Sequence, residues 1–266
     1  MCMYETSYVK ASSTEEAVTA LSSADDGKLL AGGMTLIPTM KQRLAAPDQL
    51  VDLSGCGLSG IEDNGGAVRI GAMTTHADVA SSEIVQNGIA ALAVLAARIG
   101  DRQVRNRGTI GGSVANNDPS ACYPSAVLAL GGIIHTSQRD IPAEEFFVGM
   151  FETALEEDEV ITGISLPKPV ASGYVKFPNP ASRYAMVGVF VARFERDVRV
   201  AVTGAGDDGV FRCEEIEAAL ATDFSADALE GITLSSEGLM SDIHASSDYR
   251  ARLVVEMARR SVSACL

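Results

Sequence analysis

Leu29-Leu30-Ala31-Gly32-Gly33-Met34-Thr35-Leu36-Ile37-Pro38 joins the end of a short buried strand to the start of a helix through two glycines. Gly32 and Gly33 let the chain turn sharply and keep its backbone bare of side chains. Thr35 is predicted to cap a helix that ends before Pro47. The apolar positions of that helix are Leu36, Ile37, Met40 and Leu44. Because backbone amides at a helix start attract anions, the stretch predicts an anion-binding turn.

A second glycine pair lies much later in the chain, in Thr109-Ile110-Gly111-Gly112-Ser113. One interpretation is that both glycine loops wrap a single phosphate-bearing cofactor. The other is that both are ordinary glycine turns, because short glycine loops are weak motifs on their own. The spacing alone leaves these two interpretations open.

The first part of the chain has the pattern of a small parallel sheet. Strands are predicted at residues 8–10, 28–31 and 49–53, with helices between them. Ser13 and Glu16 form a capping box at the start of the first helix. Crossover helices between short strands are typical of parallel sheets, whose ligands bind at the carboxyl ends of the strands. The first glycine pair is predicted at such an end.

The rest of the chain is predicted to form two further parts. A turn-rich stretch at 55–66 precedes a second α+β part, which contains a buried helix at 88–98. Residues 167–173 are rich in proline, glycine and serine and are predicted to be a linker. Strands followed by helices then indicate a separate α+β unit with an antiparallel sheet. The predicted domains are 1–54, 55–168 and 169–266.

The composition is that of an ordinary globular protein, with 47% hydrophobic and 21% charged residues. The formal net charge of −14 and the lack of a basic patch argue against a nucleic-acid binder. We expect no secretion signal and no membrane span, because neither a signal-peptide pattern nor a long apolar run occurs. Five scattered cysteines without a CxxC pair argue against a zinc site or an iron–sulfur cluster in this chain. The expected location is the cytoplasm, with free thiols.

Gly204-Ala205-Gly206-Asp207-Asp208-Gly209 matches the dinucleotide-binding pattern G-x-G-x-x-G but lacks its context. No helix pattern follows it directly, and the two aspartates would repel a pyrophosphate. Asp-Gly between strand-like runs predicts a hairpin turn instead. No nucleophile or acid–base motif occurs elsewhere, and the scattered His76, His135 and His244 form no metal-ligand pattern.

Three arginines, Arg102, Arg105 and Arg107, precede the second glycine pair. Such a cluster could line an anionic cofactor, face a partner subunit, or lie on a solvated turn. The sequence leaves these three alternatives open.

Taken together, the two glycine segments resemble the two FAD loops of the flavoprotein (medium) subunits of molybdenum hydroxylases. Residues 31–38 are similar to the first loop, and residues 109–113 followed by Asn117-Asp118-Pro119 are similar to the second. Three further stretches resemble family landmarks in the expected order, namely Arg105-Asn106-Arg107-Gly108, Asp158-Glu159-Val160-Ile161 and Tyr174-Val175-Lys176-Phe177. The resemblance covers essentially the whole chain. The family includes relatives of carbon monoxide dehydrogenase and xanthine dehydrogenase.

The resemblance implies an α+β fold of the vanillyl-alcohol-oxidase (PCMH) type. In that fold, a small parallel βαβαβ subdomain and a second α+β subdomain surround FAD, and a small domain with an antiparallel sheet and helices follows. The resemblance also implies an oxidoreductase subunit that works with a small [2Fe–2S] subunit and a large molybdopterin subunit. Its expected task is to pass electrons from the partner's clusters to FAD and on to an external acceptor. Neither the substrate nor the acceptor follows from the sequence.

Two other functions are compatible with the same residues. A self-sufficient flavin oxidoreductase of the same fold would oxidise an organic substrate on its own, although the C-terminal part is small for a substrate-binding domain. A scaffold subunit that has lost FAD would have no use for the glycine loops, and both are intact. The electron-transfer subunit is therefore the preferred hypothesis.

The resemblance assigns residues from both glycine segments and from several later stretches to the FAD site. The backbone amides of 31–36 would bind the pyrophosphate, and the second segment would hold the phosphates and the ribityl chain. Ile161 would pack on the isoalloxazine ring with Lys176 nearby, although a core residue and a surface lysine are the simpler alternatives. No residue is assigned to catalysis or to a metal. The complete set is Leu30, Ala31, Gly32, Gly33, Met34, Thr35, Leu36, Ile99, Gly100, Val104, Gly108, Thr109, Gly111, Gly112, Ser113, Asn116, Asp118, Cys122, Ile161 and Lys176.

Cys122 departs from the family pattern. Many relatives carry an aspartate at the matching position, where it contacts the flavin side. A thiol is a weak hydrogen-bonding group and is uncharged unless its pKa is depressed. Either another group orients the flavin here, or the reactivity of the flavin with its acceptor is altered.

Overall fold

Three main sheets follow one another along the chain in the computed structural model, which describes residues 4–265. Each of the three predicted domains contains one of these sheets, and their independence as folding units stays a prediction. Within residues 4–265, no helix is both long and apolar enough to cross a membrane.

The first sheet has three parallel strands in the order β1-β3-β2. Its elements are β1 (Ser7–Lys10), α1 (Thr14–Ser22), β2 (Gly27–Leu30), α2 (Leu36–Lys41) and β3 (Gln49–Asp52). This arrangement confirms the predicted parallel βαβαβ unit. The predicted capping box is present in part: Ser13 Oγ, at the N-cap, accepts from the Glu16 amide at 3.2 Å, but the Glu16 carboxylate accepts from the Ser12 amide at 2.8 Å instead of from that of Ser13.

The helix α2 ends at Lys41, before Pro47 as predicted, because Arg43 takes a left-handed backbone conformation (φ 61°) that a helix cannot continue through. The prediction that Leu44 belongs to this helix is wrong. Leu44 consequently leaves the apolar face and is 75% exposed. Thr35 precedes the helix as predicted, but its side chain makes no capping hydrogen bond.

The second sheet is antiparallel, with five strands in the order β4-β5-β10-β6-β7, and a short β8-β9 hairpin lies beside it. The helix α5 is apolar and buried, as predicted for residues 88–98. The elements of this part are β4 (Ile61–Asp63), β5 (Ala67–Gly71), α3 (His76–Ser81), α4 (Glu83–Gly88), α5 (Ala90–Ala97), α6 (Arg102–Arg107), α7 (Ile110–Asn116), α8 (Tyr123–Ala129), β6 (Ile133–Thr136), β7 (Asp140–Pro142), α9 (Ala143–Phe146), β8 (Phe147–Gly149), β9 (Glu152–Thr153) and β10 (Ile161–Pro167).

The third sheet is antiparallel in the order β11-β12-β13-β14. Its elements are β11 (Ala171–Pro178), β12 (Ala185–Arg193), β13 (Val198–Gly206), β14 (Gly209–Arg212), α10 (Glu214–Thr222) and α11 (Ser247–Ser263). Gly206 pairs with Gly209, so the stretch 204–209 is a hairpin turn as predicted. The linker prediction is wrong for 171–173, which belong to β11. The glycine there serves close packing: a Cβ atom at Gly173 would lie 2.0 Å from the Ser261 carbonyl oxygen of α11.

The strand β12 connects two hydrophobic cores, because its successive side chains point to opposite faces of the sheet. Phe190 and Ala192 pack into the core of the second sheet and its helices. Val187, Val189 and Val191 pack into the core that α10 and α11 cover. The third sheet is thus held firmly against the part of the chain that carries the second glycine pair.

Candidate functional site

A cavity of about 700 Å³ lies between the first glycine turn, the start of α7 and the loop that joins β11 to β12. All of the predicted site residues line it except Leu30. Leu30 lies beneath the turn instead, where its Cδ1 atom would be 3.1 Å from a Cβ atom at Gly33. The structure therefore brings together residues that are far apart in sequence, around a volume typical of ligand pockets.

The two glycine segments touch each other directly. A Cβ atom at Gly32 would lie 2.1 Å from the Arg107 carbonyl oxygen and 2.8 Å from Gly108 Cα. A Cβ atom at Gly112 would lie 3.5 Å from the Ala31 Cβ atom. Both glycine pairs thus face one cleft, and Gly32 is required because any side chain there would overlap the backbone of the other segment.

The first glycine turn presents free backbone donors to this cleft. Gly33 takes a left-handed conformation (φ 68°) directly after the carboxyl end of β2. Across residues 4–265, no acceptor is hydrogen-bonded to the amides of 32–36. Because these amides have no acceptor within the described chain and residues 32–36 line the cavity, this turn is suited to an anionic ligand that accepts from them.

The second glycine pair is different, because it forms the first turn of α7 instead of a loop. Thr109 caps this helix, and its Oγ1 atom accepts from the Gly112 amide at 3.1 Å. The amides of Ile110, Gly111 and Ser113 donate to the carbonyl groups of Thr74, Ala72 and Thr109, respectively. This segment therefore has few backbone donors left for a ligand, and its contribution must come mainly from side chains.

Lys176 brings a positive charge into the cavity wall. Its Nζ atom donates to the carbonyl oxygens of Arg98 at 2.9 Å and Arg183 at 2.8 Å, and lies 3.5 Å from Cys122 Sγ. No carboxylate of the described chain forms an ion pair with it. These three contacts use the donors of the ammonium, but carbonyl groups supply only partial charges, so the charge of Lys176 remains to attract an anionic or electron-accepting ligand.

The segment from Asp118 to Cys122 is fixed to the third sheet. Thr203 Oγ1 donates to the carbonyl oxygens of Pro119 at 2.8 Å and Ala121 at 2.6 Å, and the Gly204 amide donates to Pro119 at 2.7 Å. Burial raises the pKa of the Asp118 carboxyl, although its hydrogen bond from the Ser120 amide acts in the opposite direction. The packing of the third sheet thus positions one wall of the cavity.

His76 is a cavity residue that sequence reasoning missed. It is 5% exposed, its Nδ1 atom has no hydrogen-bond partner, and its ring lies 5.3 Å from that of Tyr123. Burial, together with the nearby Arg105 charge, lowers the pKa of His76 to about 4. No local signal in the sequence marks His76. Its contact with Gly108, where a Cβ atom would lie 2.5 Å from His76 Nε2, is visible only in three dimensions.

The buried His76 should make stability depend on pH. The folded state holds this imidazole neutral, whereas an unfolded chain protonates it near pH 6.5, so stability is lost as the pH falls from about 6.5 to 4. At about 1.4 kcal/mol for each pH unit, the loss is up to roughly 3 kcal/mol. In urea unfolding at several pH values, His76→Gln should remove this component, whereas the exposed His244→Gln should retain it. Equal pH profiles for His76→Gln and the wild type would refute the assignment.

The three arginines before the second glycine pair do not line the cavity. Arg105 donates to the carbonyl oxygens of Ile99 at 2.9 Å and Gly100 at 3.2 Å, and thereby satisfies backbone groups just beyond α5. Arg102 and Arg107 are exposed on α6. The cofactor-lining alternative is therefore not supported, and a partner-facing or solvated role remains.

Comparison with known proteins identifies the family. Residues 4–169 match the family described as the FAD binding domain in molybdopterin dehydrogenase. The chain belongs to the FAD-binding medium subunits of molybdenum hydroxylases. It is 36% identical to the nicotine 6-hydroxylase medium subunit of Paenarthrobacter nicotinovorans, over 96% of this chain and 95% of that protein. It is 33% identical to the carbon monoxide dehydrogenase medium chain of Hydrogenophaga pseudoflava, over 95% and 94% of the two chains.

Solved structures of these flavoproteins have the same fold. A chain of the carbon monoxide dehydrogenase from Hydrogenophaga pseudoflava superimposes with a TM-score of 0.86 and 34% identity, covering 99% of this chain and 98% of that one. A chain of quinoline 2-oxidoreductase from Pseudomonas putida 86 superimposes with a TM-score of 0.89 and 28% identity, covering 99% and 97%. The predicted PCMH-type fold is thus confirmed.

The cofactor of this family is FAD, and the cavity of this chain fits it. The free amides of 32–36 and the Lys176 ammonium, which has no carboxylate partner, suit its anionic diphosphate and its electron-accepting ring. The apolar side chains of Ile99, Val104 and Ile161 supply surfaces for flat rings. The prediction of a flavoprotein oxidoreductase subunit is confirmed. Which atoms of FAD each residue contacts stays a prediction.

Proposed function

We propose that this chain is the FAD-carrying electron-transfer subunit of a heterotrimeric molybdenum hydroxylase in the cytoplasm. In this role it receives electrons from [2Fe–2S] clusters in a small partner subunit and delivers them to an external acceptor. The observation that carries the proposal is the cleft that both glycine segments line, with five free amides on the first of them. Such a cleft, lined by residues from several separate segments, is suited to hold a cofactor.

In this proposal the chain's own residues bind and orient the cofactor. The amides of 32–36 hold the diphosphate, and side chains of the second segment, such as Ser113 and Asn116, hold the phosphates and the ribityl chain. Ile161 packs against the isoalloxazine ring, and Lys176 stabilises negative charge that develops there. Bound FAD supplies the redox chemistry that the protein side chains lack. The protein's remaining task is to leave one edge of the cofactor accessible to an acceptor.

Two observations support separate partner subunits for the iron–sulfur and molybdopterin groups. The described cysteines, Cys56, Cys122, Cys213 and Cys265, are free and far apart in sequence, and Cys2 lies outside the described residues. No group of three or more histidine, cysteine, aspartate or glutamate side chains that could hold a metal ion occurs within residues 4–265. The names of the relatives, medium subunit and medium chain, point in the same direction.

The test is a direct electron transfer between purified components under anaerobic conditions. The FAD-loaded chain is mixed with the iron–sulfur subunit of the same complex, which has first been reduced chemically and freed of reductant. Bleaching of the flavin absorbance is the expected result. If the absorbance stays unchanged, and the isolated chain instead oxidises organic substrates on its own, the self-sufficient oxidoreductase would replace this proposal.

Lys176→Met should weaken FAD binding and make the bound flavin harder to reduce. Removal of a positive charge beside the flavin ring disfavours the reduced, more negative state of the flavin. Loss of one charged contact lowers the free energy of FAD binding by about 1.4 kcal/mol, which raises the dissociation constant about tenfold. Lys41→Met, in the last turn of α2 and away from the cavity wall, is the control. Spectroscopic titration gives the affinity and a redox titration gives the potential. An unchanged potential would remove Lys176 from the neighbourhood of the ring.

A further inference from the structure

A serine, a histidine and an aspartate form a hydrogen-bonded chain on the outer face of the second sheet. The His135 Nε2 atom lies 2.7 Å from Ser165 Oγ, and the Nδ1 atom of the same ring lies 2.6 Å from Asp140 Oδ1. The serine is 30 residues from the histidine, so no short sequence motif marks the arrangement. We call these three residues the Ser165 triad.

The pairing of three neighbouring strands brings the triad together. His135 of β6 pairs with Asp140 of β7 on one side, and β6 pairs with β10, which carries Ser165, on the other. Side chains alternate between the two faces of a sheet, so the intervening Ile134 and Ile164 point into the hydrophobic core. The imidazole therefore lies on the opposite, outer face between the carboxylate and the hydroxyl, and its side chain is 17% exposed.

The hydrogen bonds of the triad determine which way a proton can move. An ionised carboxylate only accepts, so the contact with Asp140 places the proton of the neutral imidazole on Nδ1. The lone pair on Nε2 then accepts from the Ser165 hydroxyl, which has no other hydrogen-bond partner among the described residues. A hydroxyl bonded to a base that a carboxylate orients is the arrangement that activates a serine as a nucleophile.

Two cross-strand neighbours complete the surroundings of the Ser165 hydroxyl. Ile133 pairs with Ser165 on one side and is 40% exposed, which gives an acyl group of a few carbon atoms an apolar contact. Arg69 pairs with Ser165 on the other side and reaches over Gly163, where its Nε atom would lie 3.8 Å from a Cβ atom. None of the ion pairs within residues 4–265 involves Arg69. A guanidinium beside the nucleophile is suited to stabilise the negative oxygen of an attacked carbonyl group.

We propose that the Ser165 triad is a catalytic site that hydrolyses small carboxylic esters, separately from the cofactor cavity. Ser165 Oγ forms a bond to the ester carbonyl carbon and gives its proton to His135 Nε2, while Arg69 stabilises the negative oxygen. The bond to the alcohol then breaks, and the alcohol leaves with that proton. Water attacks the acyl group, again with His135 as base, so that the carboxylic acid is released and the Ser165 hydroxyl is restored.

A fluorophosphonate probe tests the nucleophile directly, because an activated serine oxygen displaces its fluoride and forms a stable bond to phosphorus. Peptide mapping of the labelled, FAD-loaded chain should find the probe on Ser165. It should not find the probe on the exposed Ser81, whose hydroxyl donates to backbone carbonyl groups. His135→Gln should slow labelling at least about 100-fold, the usual contribution of a general base. His244→Gln, at an exposed histidine outside the triad, should leave the labelling rate unchanged.

Hydrolysis of p-nitrophenyl acetate by the FAD-loaded chain is the second measurement. Ser165→Ala should abolish the hydrolysis above buffer, and Arg69→Met should slow it at least about tenfold through the loss of oxyanion stabilisation. Both variants should bind FAD like the wild type, because neither residue lines the cofactor cavity. A probe that does not label Ser165, or equal hydrolysis by Ser165→Ala and the wild type, would overturn the inference. Either result would leave the proposed electron-transfer function intact, since that function uses a different part of the chain.

Discussion

Gly32→Ala is expected to weaken FAD binding by at least about 100-fold, equivalent to about 2.7 kcal/mol. The added Cβ atom would lie 2.1 Å from the Arg107 carbonyl oxygen, a distance that no real contact tolerates. The opposing atoms belong to the backbone of the second segment, so a side-chain rotation cannot relieve the overlap. The two segments must separate, and the free amides of 32–36 then move away from the diphosphate position.

Gly66→Ala is the matched control for this substitution. A Cβ atom at Gly66 meets nothing within 4 Å, and the residue needs no left-handed conformation. Flavin content after purification and the FAD dissociation constant are the two measurements. If Gly32→Ala binds FAD as tightly as Gly66→Ala, the contact between the two segments is not what shapes the cofactor site.

Arg250→Met should lower the free energy of unfolding by about 2 to 4 kcal/mol, because a buried polar group that loses its hydrogen-bond partner costs about 1 to 3 kcal/mol. Arg250 is 2% exposed and joins α11 to the third sheet. Its guanidinium donates to the carbonyl oxygens of Met186 at 2.7 Å and Gly204, and to Asp242 Oδ2 at 2.7 Å. Methionine fills a similar volume but removes the donor to both carbonyl groups and the ion pair of Asp242 Oδ2, while Asp242 Oδ1 keeps the amides of His244 and Ala245.

Arg252→Met, on the exposed side of the same helix, is the control and should change stability only slightly. Urea unfolding followed by circular dichroism measures both variants. Because the third sheet fixes the segment before Cys122 through Thr203 and Gly204, Arg250→Met should also weaken FAD binding. Equal unfolding free energies for the two variants would show that the buried guanidinium contributes no net stability.

The first glycine turn and its parallel sheet could be predicted because their signals are local. Strand, glycine pair and helix follow one another within residues 28–41, and the capping box at Ser13 marks the helix before them. The end of α2 could not be predicted, since nothing in the sequence around Arg43 requires its left-handed conformation. Glycine tolerates any backbone conformation, so the second pair was equally compatible with a loop and with the first turn of α7.

Only the family resemblance could predict which residues of separate helices and strands line the cavity. Ile99, Cys122 and Lys176 come from separate elements, and no spacing rule connects them. His76 was missed because its burial depends on contacts with Gly108 and Tyr123 that are distant in sequence. Leu30 was included because it is adjacent to the turn, but its side chain packs under the glycines instead of facing the cavity.

The central claim is that the free amides of the first glycine turn hold the diphosphate of FAD against the second segment. The most direct measurement is a calorimetric titration of the chain, stripped of cofactor, with FAD and with riboflavin, which has the same ring system but no phosphate. We predict that FAD binds at least about 100-fold more tightly than riboflavin, and that Gly32→Ala removes most of this difference. Equal affinities of the wild type for the two ligands would contradict the account.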